Sequence, residues 1–467
     1  MTLPTLFNVK FNWGVYVLSL IFIKILWPDI SWWSLAALAI SIHQFLLLFF
    51  SIGAVIPIRY IAGSFMCLQM LLGPTFAYNG LDQYQFIDYI MRIPEADYFV
   101  YAIPAVLMFI LGLHVTAGKL KGEIINELEI RKFIDNSGQL PYIFIGIGFL
   151  AGYISGSFGS ELQFVFVLLA GFKYIGLFML LLGSKQLKLW VMILVFSSII
   201  VSSLSGAMFH DLLTWLIMLG AVLAIKFKPN VALKAVATIS FILLAIIIQQ
   251  LKGEYRQTLK SESGNLQTFE NVYDENSNSL FNLKKLASSN VRINQGFIIT
   301  NIMNTVPERV PFENGKELMK ILEAAFLPRI IAPNKLEAGD RTIFMKYSRI
   351  PLAPGTSMAL GAMGDGYINF GVMGGCIFMF FLGLAFSEVL NGFYKFSKFF
   401  PFLLLFTPLV FYYPMRPDCE LQTSLGHLVK SCFLIYIMLL FWKKDLSKVQ
   451  NKKQNIPTPN FKVSTVN

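Results

Sequence analysis

The stretch LGAMGDGYINFGVMGG, residues 360–375, joins a long polar segment to an oily one, and its reading decides the fold. The apolar run that follows, 366–390, is long enough to cross a bilayer as a helix, which takes about 20 apolar residues. Glycines at 361, 364, 366, 371, 374 and 375 permit close backbone approach. Gly371 and Gly375 have the four-residue spacing of tightly packed membrane helices. Two readings of the segment stand. It is a packing face with Asp365 as an N-cap, or Asp365, Tyr367 and Asn369 mark a helix N-terminus that faces a bound anionic headgroup.

The rest of the chain extends the membrane reading. Of 467 residues, 55% are hydrophobic and 14% charged, against about 25% charged in soluble domains. Mean hydropathy is +0.62. Backbone groups in hydrocarbon must be satisfied internally, so the fold class expected is an all-α polytopic bundle. Apolar runs predict twelve transmembrane helices near 12–28, 32–52, 57–77, 97–117, 140–158, 161–182, 188–205, 207–225, 231–250, 366–390, 399–415 and 426–442. The organisation is then a nine-helix bundle over 1–250, a large extracytoplasmic loop over 251–365, three helices over 366–442 and a tail at 443–467. One lysine precedes the first apolar run and no small-residue cleavage site follows it, so that run reads as a retained helix.

Charge orients the bundle. The net charge of +11 is a question of sidedness here, not a sign of nucleic acid. With twelve crossings, Lys10, Lys119, Lys121, Arg131, Lys132, Lys185, Lys188, Lys226, Lys228, Lys395, Lys398, Lys443 and Lys444 fall on one side. The positive-inside rule makes that side, with both termini, cytoplasmic. Segments 78–96, 251–360 and 416–425 then lie outside. Within the large loop, 312–326 has the apolar spacing of an amphipathic helix bounded by Pro311 and Pro328, while 261–282 reads as a polar surface excursion.

Cys67, Cys376, Cys419 and Cys432 are scattered, which indicates neither a disulfide framework nor a structural zinc site. No glycine-rich nucleotide loop and no plain internal repeat is present, and this counts against ATP-driven transport.

Chemistry gathers at the expected outer face. In YYPMRPDCELQTSLGH, residues 412–427, the charged Arg416, Asp418 and Glu420 and the titratable His427 lie between two apolar runs. Charges so near hydrocarbon are costly unless solvated or paired, so the segment either lines a water-filled cavity or forms a turn in which Arg416 pairs with Asp418. A guanidinium fork is the natural partner of phosphate oxygens. Arg341 and Arg349 precede Asp365 closely. Glu161 and His210 sit near the same face, although His210 and Asp211, as helix neighbours, diverge by about 100° and form no relay with each other.

The run Gly364-Asp365-Gly366-Tyr367-Ile368-Asn369-Phe370-Gly371-Val372-Met373-Gly374, the multi-span body, the late outer loop and the Arg-containing turn resemble the Wzy-type O-antigen and capsule repeat-unit polymerases, relatives of the O-antigen ligases. Where many relatives carry a Ser-Gly-Ser-Arg-like element, this chain reads Ser205-Gly206-Ala207-Met208-Phe209-His210 and has no Arg. The resemblance implies a GT-C-like glycosyltransferase bundle in the bacterial inner membrane. It implies polymerisation of undecaprenyl-diphosphate-linked oligosaccharide repeats into O-antigen or capsular polysaccharide, with lipid-linked donor and acceptor and a chain-length regulator as partners. Abundant positive charge and the lack of a tight carboxylate pair favour catalysis with no cofactor or metal, while Asp418 and Glu420, separated by one residue, leave a divalent ion open. Arg341, Arg349 and Arg416 would grip the diphosphate, with Tyr367, Asn369 and His427 beside them. Asp418 or Glu420 would take the acceptor proton, with Asp365, Glu161 and His210 as further candidates. Competing readings are a ligase using the same donor, a polysaccharide flippase, and a membrane peptidase built on Cys419, His427 and Arg416.

Overall fold

The computed structural model describes residues 13–85, 87–117, 127–157, 160–183, 189–259, 263–277, 280, 282–327, 331–339, 341–353 and 356–451. The side chains at 87, 127, 137, 160–162, 292 and 442–451 lie outside the description. Among the described residues the chain is all-α, and the single β-feature is an isolated bridge between Ile52 and Val55. Ten helices among the described residues are long and apolar enough to cross a membrane.

Those ten coincide with ten of the twelve predicted spans. The other two differ. The first is the 14-residue helix Trp13–Leu26. The eleventh, expected over 399–415, is a 3-10 turn at Pro401–Phe406 running into the four-residue helix Thr407–Val410. Pro401 and Pro408 lack the N–H that a continuous helix needs, and six 3-10 residues rise only about 12 Å. The rest of that passage, 411–420, is irregular chain packed inside protein.

The stretch 360–375 holds the largest departure from the sequence reading. Gly361–Ser397 is nominally one 37-residue helix, but Gly371 sits at φ 66°, ψ −162°, outside helical space. A Cβ on Gly366 would lie 3.5 Å from the Cα of Gly375, although nine helical residues span about 13 Å. The Tyr101 hydroxyl donates to the Met363 carbonyl at 2.7 Å and also lies against Gly375. The chain therefore reverses at Gly371. Residues 361–370 form a short helix that folds back along 372–397, with its N-terminus deep in the bundle, at the level of Leu382, and its tip under the loop residue Phe312.

The returning 372–397 helix packs along Glu95–His114, where glycines bring the two backbones together. A Cβ on Gly112 would meet the Phe380 carbonyl oxygen at 2.2 Å, and one on Gly383 would meet that of Phe109 at 2.3 Å. Small residues at such crossings let main chains approach without side-chain obstruction.

The 251–360 segment is folded against this bundle. Val231–Thr258 continues past the predicted end at 250, and Leu266–Asn276 forms a helix within the expected surface excursion, N-capped by Asn265 at 2.9 Å from the Thr268 N–H. Asn290 donates to the Gly73 carbonyl at 3.0 Å, which ties the helix Leu283–Ile293 to the Ile58–Tyr78 span. Lys316–Phe326 is the expected amphipathic helix. Glu313 N–H donates to the Ile368 carbonyl at 3.0 Å and so fixes the loop to the tip of the reversal.

Candidate functional site

Arg416 and Asp418 come from the irregular 411–420 chain. They pair at 3.1 Å through Nη2 and Oδ2, and the guanidinium lies 5.7 Å from the Tyr413 ring centroid. Burial by itself would raise the Asp418 carboxyl, but the charge and hydrogen bond of Arg416 outweigh it, helped by His210 and by the Gln69 side chain. Asp418 is therefore held below the ordinary carboxylate range and is a poor proton acceptor. Gln69 reaches it from a π-helical turn at Leu68–Leu72 inside Ile58–Tyr78, an irregularity often found at functional positions.

Arg416 opens onto a cavity floored by Ala62, Met66, Phe109, Leu382 and Phe386. Ala362, in the first turn of the folded-back helix, lines it too. A guanidinium and a helix N-terminus, both favourable to anions, thus share one apolar cavity. The cavity is narrow.

His210 and Asp211 begin the helix Phe209–Phe227. The Tyr412 hydroxyl donates to Asp211 Oδ1, and the His210 ring lies 6.3 Å from Tyr412 and within electrostatic reach of Arg416 and Asp418. Asp211 and Tyr412 were not among the expected site residues. Their partnership joins positions 201 apart in sequence, which no local pattern reveals. His427 Nε2 donates to the Leu409 carbonyl at 2.7 Å, and its ring packs 4.8 Å from Tyr413. Glu161 opens Ser160–Ala170, and its side chain falls outside the described residues; Phe164 of the same helix packs 6.0 Å from His427.

A second cavity lies one helical turn along the folded-back helix. Glu317, Asp365 and Glu420 line it, with Ile321, Leu336 and Phe344 among its apolar walls. Glu420 Oε2 accepts from the Gly339 N–H and the Thr423 hydroxyl, each at 3.0 Å. Glu317 pairs with Lys320 at 2.8 Å. Glu317 was not among the site residues expected from sequence.

Other expected residues lie elsewhere. Arg341 donates to the Leu352 carbonyl, Arg349 is exposed at φ 58°, and neither lines either cavity. Tyr367 donates to the Val306 carbonyl at 3.3 Å between the rings of Tyr101 and Phe312. Asn369 donates to the Asp365 carbonyl at 2.9 Å and accepts from the Leu318 N–H at 3.3 Å. Both hold the hairpin to its neighbours. Cys419 bonds the Glu420 carbonyl at 3.5 Å and burial pushes its thiol up to about 12, so it is not prepared as a nucleophile. Among the described residues, no group of three or more His, Cys, Asp or Glu side chains is arranged to hold a metal ion.

No family model, curated protein or solved structure matches the chain.

Proposed function

We propose that this polytopic membrane protein is a GT-C-like glycosyltransferase that polymerises undecaprenyl-diphosphate-linked oligosaccharide repeats, the activity its sequence resemblance implies. It acts at the outer face of a bacterial inner membrane, with both termini cytoplasmic. The observation that carries the reading is the shared cavity of Arg416 and the 361–370 helix N-terminus, apolar below and cationic above.

In the reaction, a hydroxyl of one lipid-linked repeat attacks C1 of the sugar on another. The C1–O bond to the diphosphate breaks, its electron pair leaves with undecaprenyl diphosphate, and the hydroxyl proton passes to a base. Arg416 and the helix amides offset the charge that grows on the departing diphosphate, and such preorganised donors are worth a factor of about 10²–10³ in rate each. Asp418 positions Arg416. Activation resides in the donor, so no nucleotide is consumed.

The test is incubation of purified protein with an undecaprenyl-diphosphate glycan, followed by sizing of the products. A ladder of repeats supports the polymerase. Single transfer to a different acceptor indicates the ligase, and movement of unaltered lipid across vesicles the flippase.

A further inference from the structure

Asp365 is the polar group that the fold leaves most conspicuously unused. It is 5% exposed and lines the second cavity. Among the described residues no donor or cation bonds its carboxylate, whereas Glu317 has Lys320 and Glu420 has Gly339 and Thr423. A buried carboxylate without partners normally costs several kcal/mol, a cost that the group escapes by holding a proton or by meeting a ligand that supplies donors. The neighbouring walls carry the acids, Gln422 and apolar side chains, a lining whose chemistry suits hydroxyl groups and repels a phosphate.

We propose that the cavity of Glu317, Asp365 and Glu420 is the acceptor-sugar subsite, and that Asp365 takes the proton from the attacking hydroxyl. The inference rests on the glycosyl-transfer reading and adds the place and the base. Ala362 and Asp365, three residues apart on one helix, face the anion cavity and the acid cavity respectively. A rise of about 4.5 Å separates them, which brings a leaving diphosphate and an incoming hydroxyl to neighbouring positions. Asp365 has no bond to break before it accepts the proton. Asp418 does, because Arg416 holds it. The proton taken by Asp365 is later released to water, and the new glycosidic bond replaces the bond to diphosphate one for one.

The experiment uses full-length protein in nanodiscs, with lipid-linked repeat extracted from the source cells and undecaprenyl diphosphate as probes. Asp365→Asn is expected to lower the rate of chain extension at least 100-fold, a loss in line with the 10²–10⁴ contributed by general bases, while binding undecaprenyl diphosphate within about twofold of wild type. Asp365→Glu is expected to recover about tenfold over Asp365→Asn and to shift the acid limb of the pH–rate profile. Extension by Asp365→Asn within about threefold of wild type overturns the assignment, as does an equal loss of diphosphate binding. Should wild type fail to extend chains at all, the polymerase reading fails, and the subsite is judged separately through Met358→Cys, whose position lines the acid cavity. Thiol labelling there that is slowed by the lipid-linked repeat but not by undecaprenyl diphosphate supports the subsite. Equal slowing by both, or by neither, ends it.

Discussion

A Cβ placed on Gly366 falls 3.5 Å from the Cα of Gly375, so residues nine apart in what hydropathy reads as one helix lie side by side. The reversal between them depends on Gly371, whose φ of 66° and ψ of −162° lie in a region essentially confined to glycine. Gly371→Ala is expected to cost about 1–3 kcal/mol and lower the melting temperature. A Cβ there would also press on the Phe312 ring at 3.3 Å. Gly392→Ala, helical and with nothing within 4 Å, is expected to be stabilising by up to about 1 kcal/mol. Equal melting temperatures for the two variants would count against the hairpin.

The Arg416–Asp418 pair should show itself in acid. Asp418 is depressed in the folded protein, so its stabilisation is fully present above the unfolded value of about 3.9 and is lost as pH falls through the folded value. Asp418→Asn is expected to melt lower at pH 7 by an amount equivalent to about 1–3 kcal/mol and to lack this acid component. Melting curves from pH 7 to pH 3 check it. Parallel wild-type and variant curves would show that the pair contributes nothing.

Arg416→Lys keeps the charge but not the planar fork. Chain extension is expected to fall about 10²-fold for Arg416→Lys and further for Arg416→Ala, with both inserted normally in the membrane. Wild-type product ladders from equally expressed Arg416→Ala would remove Arg416 from the site.

Tyr412, in the irregular 411–420 chain, pairs with Asp211 of the helix Phe209–Phe227, supported by Trp215 stacked 5.9 Å from Tyr412 and 3.8 Å from Tyr174. Tyr412→Phe leaves Asp211 without its donor and is expected to cost about 1–3 kcal/mol, whereas adding Asp211→Asn to Tyr412→Phe costs little more. A double-mutant cycle in thermal unfolding measures this. Strict additivity would mean that the two residues act independently.

Sidedness is open to direct labelling. Cysteine at Asp274 is expected to react with a membrane-impermeant maleimide in intact spheroplasts, and cysteine at Lys398 only after permeabilisation. Reactivity of both from one side would invert or break the proposed topology.

Hydropathy located ten of the twelve apolar spans, most of them to within a few residues, because burial in lipid is written locally, in runs of Leu, Ile, Phe and Val. It misread 360–375 because chain reversal depends on which of six glycines adopts positive φ, and composition does not distinguish them. The Pro401–Val410 passage failed for a related reason: its residues are apolar because they are buried in protein, not because they form a lipid-crossing helix. In the site, Arg416 and Asp418 were legible as an ion pair, since they are two residues apart. The nearness of His210 to that pair was not, and nor was the sharing of one cavity by Glu317, Asp365 and Glu420, because each depends on how distant helices dock. Asp211 was set aside for diverging from His210, and its true partner comes from another part of the chain.

The mutual glycine contact between Gly112 and Gly383 bears on how a lipid-borne chain could ever reach the interior. Where main chain rests on main chain, there are no rotamers to swing aside, and this helix pair acts as the stationary spine of the molecule. Breathing must then come from other helices, among them the little-buried Val231–Thr258, which presents Val236, Ile239 and Leu243 outward, and the path of a polyprenyl tail would be sought along that looser edge.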